Sequence, residues 1–157
     1  MILYSCEICY NAHMKIMYRL NRPAFYTLSF TWGALITLVG FLISFFMVIT
    51  GHKGKRHGLS HYYVTGKKPW GGMSWGMTFI TDRTEHPHTL DHECGHAIQN
   101  CFFGPFMLLA VCVPSFARYW SRRVMMKKGR RPKTDYDSVW FERQASELGS
   151  YYCRKFN

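Results

Sequence analysis

Thr89-Leu90-Asp91-His92-Glu93-Cys94-Gly95-His96-Ala97-Ile98-Gln99-Asn100 is the stretch on which the reading of this chain turns. It contains H-E-x-x-H at positions 92–96. On a helix, residues i and i+4 share a face, with Cβ atoms about 5–6 Å apart. The imidazoles of His92 and His96 can then both reach one zinc ion at ~2.0–2.1 Å. Glu93 lies one step round the helix, beside the ion rather than on it. From there it can take a proton from a zinc-bound water and pass it to a leaving amine. The helix is expected to start at Thr89, a good N-cap, with Asp91 at the positive end of the dipole. Gly104-Pro105 should end it after Phe103.

A catalytic zinc takes three protein ligands and keeps one position open. His61, His86 and His88 are upstream candidates for the third. Glu142 is the better one. It lies in Trp140-Phe141-Glu142-Arg143-Gln144-Ala145-Ser146-Glu147-Leu148-Gly149, on a helix expected from Ser138 to Leu148 and closed by Gly149. Large apolar neighbours turn its side toward a core, where a carboxylate needs a partner, and a metal is one. The plainer alternative is a surface carboxylate paired with Arg143 or Lys155. Glu147 is the fallback ligand.

These two segments together resemble the gluzincin type of zinc metallopeptidase, with H-E-x-G-H on one helix and E-x-x-A-D-x-x-G on a later one. The likeness is to the CAAX prenyl endopeptidases and their heat-shock relatives, and to the membrane-anchored neutral zinc metallopeptidases. In the latter the first helix reads H-E-x-x-H-x-x-Q, and this chain has Gln99 at that last place. The resemblance spans residues 73–149. It implies His92, His96 and Glu142 as zinc ligands and Glu93 as the base, acting on a peptide or protein substrate. Ser146 stands where the family has Asp, whose usual role is to support a ligand histidine. Glu147 and Asp91 are the substitutes within reach in sequence.

Before the metal helix, Met73, Trp75, Met77 and Phe79 alternate with smaller or polar residues, the period-2 pattern of a half-buried strand over 73–80. The resemblance gives such a strand a role in pairing with substrate backbone, which marks Trp75, Gly76 and Met77 as substrate-binding candidates. Tyr152, with Tyr151 and nearby histidines, is the oxyanion candidate.

The rest of the chain points to a membrane. Its 157 residues carry 20 Lys+Arg against 9 Asp+Glu, a net charge of +11, yet 48% are hydrophobic and 17% aromatic. That composition excludes intrinsic disorder. A mean hydropathy of −0.16 excludes a protein mostly within lipid. Between Pro23 and His52 there is no Asp, Glu, Lys or Arg, enough for an uncleaved transmembrane helix. The expected organisation is an N-terminal segment 1–23, an anchor 24–50, and a mainly α, zincin-like domain with a small β element at 51–157. Lys15, Arg19 and Arg22 precede the anchor, and Lys53, Lys55, Arg56, Lys67 and Lys68 follow it. The bias favours a cytoplasmic catalytic domain behind a single-pass anchor.

The second apolar stretch, 101–117, should lie in the membrane interface, because crossing would separate Glu142 from the histidines. Arg118, Arg122, Arg123 and the lysines after them would then meet anionic lipid headgroups. A buried helix with a solvated basic tail is the alternative. No nucleic-acid-binding motif is present, so no nucleic acid is expected as a partner. Cys6 and Cys9 form a lone C-x-x-C, and the six cysteines make no disulfide framework. The expected function is thus a membrane-anchored zinc endopeptidase. Its rivals are a non-catalytic adaptor in which zinc ties helices together, and a protease working inside the bilayer.

Overall fold

The computed structural model describes residues 14–66 and 69–156. Cys6, Cys9, Lys67 and Lys68 lie outside those residues. The protein is mainly helical, with one small mixed sheet. The helices are α1 (Arg22–Phe30), α2 (Ala34–Ile49), α3 (Pro87–Phe103), α4 (Val113–Lys127) and α5 (Trp140–Phe156). The strands are β1 (Lys55–His57), β2 (Ser60–Val64), β3 (Gly72–Trp75) and β4 (Thr78–Thr81), in the spatial order β1-β2-β4-β3. β2 and β4 run parallel; the other two pairs are antiparallel.

The expected anchor is not one helix. Among the described residues no single helix is long and apolar enough to cross a membrane. α1 and α2 meet at 91° across Thr31–Gly33. Asn21 caps α1 by accepting from the Ala24 N–H at 2.9 Å, and Pro23 sits in its first turn. The break is held from outside: the Asn100 amide of α3 donates to the Gly33 carbonyl at 3.1 Å, and Trp32 donates to the Phe102 carbonyl at 3.1 Å. The 16 residues of α2 reach about 24 Å at 1.5 Å per residue. Ile36, Thr37 and Gly40 pack against the body, whereas Leu35, Leu38, Leu42, Phe45, Phe46 and Ile49 are exposed.

The strand expected over 73–80 is a hairpin. Its two-residue turn, Gly76-Met77, reverses the chain, and Gly76 takes φ +59°, which glycine adopts freely. The reversal breaks the apparent alternation: Trp75 pairs with Thr78, so Phe79 falls on the face opposite Trp75. Phe79 is fully buried and stacks on Tyr62, with ring centroids 5.2 Å apart. β3 is left at the edge of the sheet, alongside α3.

α3 starts at Pro87, with His86 rather than Thr89 as its N-cap. Proline at the first helical position is preset for the helix and lacks only an N–H that would be orphaned anyway. Its end after Phe103 is as the Gly104-Pro105 pair dictates. The interval 104–112 then turns through a 3₁₀ and a π segment into α4, bent by 118° from α3. Met107 and Val111 face inward, while Phe106, Leu108 and Leu109 are exposed.

α5 does not stop at Gly149 but runs on to Phe156. Gly149 is used for close approach instead. A Cβ there would fall 1.7 Å from the Asp91 carbonyl of α3, and one on Gly95 would fall 1.8 Å from the Ala145 carbonyl of α5. The two helices therefore cross almost backbone to backbone. Around that crossing sits the main core, including Met17, Phe25, Leu59, Ile98, Leu148 and Tyr152.

Part of the basic run is spent inside the molecule. The Arg118 guanidinium donates to the carbonyls of Asp135 and Tyr136 and to the Ser138 hydroxyl, and Arg122 donates to the Thr134 carbonyl. These bonds fasten the 134–138 loop to α4.

Candidate metal centre

The α3–α5 crossing brings three ligand-type side chains to one point. His92 Nε2 and His96 Nε2 are 3.1 Å apart. Glu142 Oε2 of α5 lies 3.1 Å from the first and 3.4 Å from the second. All three side chains are at least nine-tenths buried. Ligand atoms at ~2.0–2.1 Å from a tetrahedral ion stand about 3.3 Å apart, which is the spacing seen.

The hydrogen bonds around the imidazoles fix which nitrogens face inward. His96 Nδ1 lies 2.8 Å from Gln99 Oε1. The Gln99 amide nitrogen donates to the Phe141 carbonyl at 2.8 Å and to Gln144 Oε1 at 2.9 Å, so the oxygen is the end that meets His96. An amide oxygen only accepts, so Nδ1 of His96 carries the proton. His92 Nδ1 contacts the Ser146 hydroxyl at 2.8 Å, and that hydroxyl donates to Asp137 Oδ2 at 2.9 Å. Its one proton being committed to Asp137, Ser146 accepts from His92. Both Nε2 atoms of the neutral rings thus turn lone pairs toward Glu142.

Neither oxygen of Glu142 accepts a well-formed hydrogen bond. Burial alone pushes its carboxyl up, and only positive charge on the His92 and His96 side outweighs that and holds it well below the usual range. The cluster needs positive charge. A proton can bridge only two of its members, whereas a divalent cation satisfies all three. The residues therefore could hold a metal ion.

Ser146 proves to be a relay. The carboxylate that supports His92 comes from Asp137, on the 3₁₀ turn Tyr136–Ser138, through the serine hydroxyl. In the sequence, Asp137 stands out only as a helix-capping residue. Asp137→Ala should keep the metal stoichiometry while weakening metal affinity about 10–100-fold, the usual cost of losing such support. Competition with a graded chelator measures it; unchanged affinity would remove Asp137 from the site.

Glu93 is buried beside the ligands but is not one of them. Burial raises its carboxyl pKa, with His96 and His92 opposing. Its side chain lies over Gly72 of β3, where a Cβ would come 2.6 Å from Glu93 Cγ. Glycine at 72 makes room for the carboxylate. The Asp82 carboxylate fixes this approach by accepting the N–H groups of Trp70 and Gly71, both at 2.8 Å.

A cleft of about 520 Å³ opens onto the three residues His92, Glu93 and His96. β3 forms one wall through Gly72, Met73, Ser74 and Trp75, and the π segment and α4 form the other. The Ser74 hydroxyl is buried with no hydrogen-bond partner. The Tyr136 hydroxyl lies 3.3 Å from Ser115, and its ring is 6.0 Å from that of His92. Burial pushes the Tyr136 phenol up, so it stays a donor at neutral pH.

Not every expected residue is here. Trp75 lines the cleft, but Gly76 packs against Thr37 of α2, and Met77 is in the main core. Tyr152 is fully buried and donates its hydroxyl to the Met17 carbonyl, so Tyr136 replaces it as the phenol near the metal centre. Glu147 is exposed on the outer side of α5, near Tyr18 and Lys155. Asp91 points to the back of α3 and pairs with His57. No protein-family model matches the chain, and no curated protein or solved structure matches it.

Proposed function

We propose that this protein is a membrane-associated zinc endopeptidase of gluzincin type. The observation that carries the reading is the convergence of two imidazole lone pairs and one unsatisfied carboxylate at the floor of a cleft, with a second buried carboxylate beside them. Zinc held there supplies Lewis acidity toward a carbonyl and acidifies water. Glu93 takes the proton from the attacking water and returns it to the departing amine. The Tyr136 hydroxyl donates toward the oxygen on which negative charge develops. β3 is the edge strand of the sheet and lines the cleft, where an extended polypeptide would add as a further strand.

Membrane attachment is supported by the rows of exposed apolar side chains on α2 (Leu35, Leu38, Leu42, Phe45, Phe46, Ile49) and over 106–116 (Phe106, Leu108, Leu109, Val113, Phe116). By length and composition α1 with α2, and α3 with α4, each pass as a bent membrane segment. The lysines and arginines that follow α2 favour a cytoplasmic side for the metal centre.

Glu142→Ala should release one zinc per chain and abolish cleavage of a peptide library by the detergent-solubilised protein. A variant that keeps the full zinc content overturns the assignment. Wild-type protein that holds zinc and cleaves nothing would instead support the scaffold alternative, in which the ion only ties α3 to α5.

A further inference from the structure

The back of α3 carries a second convergence that the peptidase reading does not use. Asp91 and Cys94, three residues apart, share that face. His57 arrives from the end of β1 and Cys153 from α5. His57 Nε2 lies 2.7 Å from Asp91 Oδ1. Ligand atoms of His57, Asp91 and Cys153 all fall within 4.8 Å of one another. The Cys94 sulfur lies beside this trio, facing the same Gly58 as the Cys153 sulfur, and both cysteines are free.

Two further features suit a metal ligand set. The Ser60 hydroxyl donates to the Cys94 sulfur at 3.8 Å, the kind of outer support that steadies a coordinating thiolate. Gly58 keeps the space open: a Cβ there would lie 3.0 Å from Cys153 Sγ and 3.3 Å from Cys94 Sγ. The sulfurs are buried, while the side chains of His57 and Asp91 retain 17% and 26% exposure, which gives an ion a way in.

We propose that His57, Asp91, Cys94 and Cys153 form a second, structural metal site for a thiophilic divalent ion of the zinc class. His57, Asp91 and Cys153 already stand within reach of one ion, and the Cys94 sulfur, which borders the same space at Gly58, closes the tetrahedral set by a side-chain rotation, with no open position for chemistry. Thiolate ligands select zinc over magnesium or calcium. Binding releases the two thiol protons to solvent, and the His57–Asp91 contact widens from a hydrogen bond to the ~3.3 Å of neighbouring ligands. The ion pins the β1–β2 turn to the same α3–α5 crossing that carries His92, His96 and Glu142.

The test uses the full chain, purified under reductant, with Cys6 and Cys9 replaced by serine so that they add no sulfur ligand. Metal analysis should give about two zinc per chain. Cobalt loading should give a near-ultraviolet sulfur-to-cobalt band. That band should survive His96→Ala, which empties the first site, and vanish in Cys94→Ala/Cys153→Ala. Should that double variant fail to fold, His57→Ala, which keeps both sulfurs, should weaken cobalt binding at this band at least tenfold. One zinc per chain with no sulfur band, a band indifferent to His57 and both cysteines, or a Cys94–Cys153 disulfide in the reduced preparation would each overturn the proposal. Because the band reports sulfur alone, its absence leaves the peptidase reading untouched, and loss of peptidase activity leaves this site untouched.

Discussion

Glu93→Gln should keep its fold and its zinc and cleave peptide about 10²–10⁴-fold more slowly, the range for losing a general base. The amide has the shape of the carboxylate, so it still fits over Gly72, where there is no room for a larger group. It is not among the three metal-facing residues, so zinc content should not change. It cannot take up a proton at neutral pH. Burial raises the wild-type carboxyl above its ordinary pKa, with His96 and His92 opposing. Turnover measured at matched zinc content decides the matter. A glutamine variant with wild-type turnover would remove Glu93 from the chemistry, whatever the zinc does.

Gly149→Val should lower stability by at least ~3 kcal/mol, at the severe end for overpacking. The position sits inside α5, where valine has an acceptable helix propensity, so local structure does not forbid it. The cost is tertiary. A Cβ at 149 would meet the Asp91 carbonyl at 1.7 Å, and the Gly95 nitrogen at 3.1 Å, so the helices must part. Parting them carries Glu142 away from His92 and His96, which come from the opposite helix. Thermal unfolding in detergent and zinc content should fall together. A variant that melts like wild type and keeps its zinc would show that the crossing yields more easily than its geometry implies.

The cluster of His92, His96 and Glu142 was legible in the sequence to the extent that its two histidines repeat with helical spacing. His92 and His96 are four apart, and that alone places them on one face. Glu142 is identifiable as an acid among large apolar neighbours. Gln99 is three residues on from His96, and its amide oxygen meets His96 Nδ1 within the same helix. Asp137 could not be read in this way. It reaches His92 through a hydroxyl nine residues away, over a turn that Arg118 holds in place. Tyr136 was hidden for the same reason, and Tyr152, though close to α5's motif in sequence, is carried one turn too far round the helix into the core.

The apolar segment 24–49 and the hairpin show the same division. Residues 24–49 have no Asp, Glu, Lys or Arg, which sets their affinity for an apolar surrounding whatever their shape. Their division into two helices at 91° depends on Asn100, more than sixty residues away, donating to Gly33. Between Met73 and Ile80 the alternation is real, but Gly76 reverses the chain and changes its phase, leaving β3 at the sheet edge beside Glu93.

By itself, then, the sequence determined the mainly helical class, the apolar and basic segregation, and the helical spacing that puts His92 and His96 on one face with Glu93 beside them. These follow from composition and short-range periodicity, which act within a turn or two of helix. Only the tertiary structure decided where α5 ends, which carboxylate supports His92, which tyrosine faces the cleft, and that Cys94 meets Cys153. Each of these depends on how closely two distant backbones can approach. Here glycine at 95 and 149 sets that distance, and no local pattern in the chain reports it.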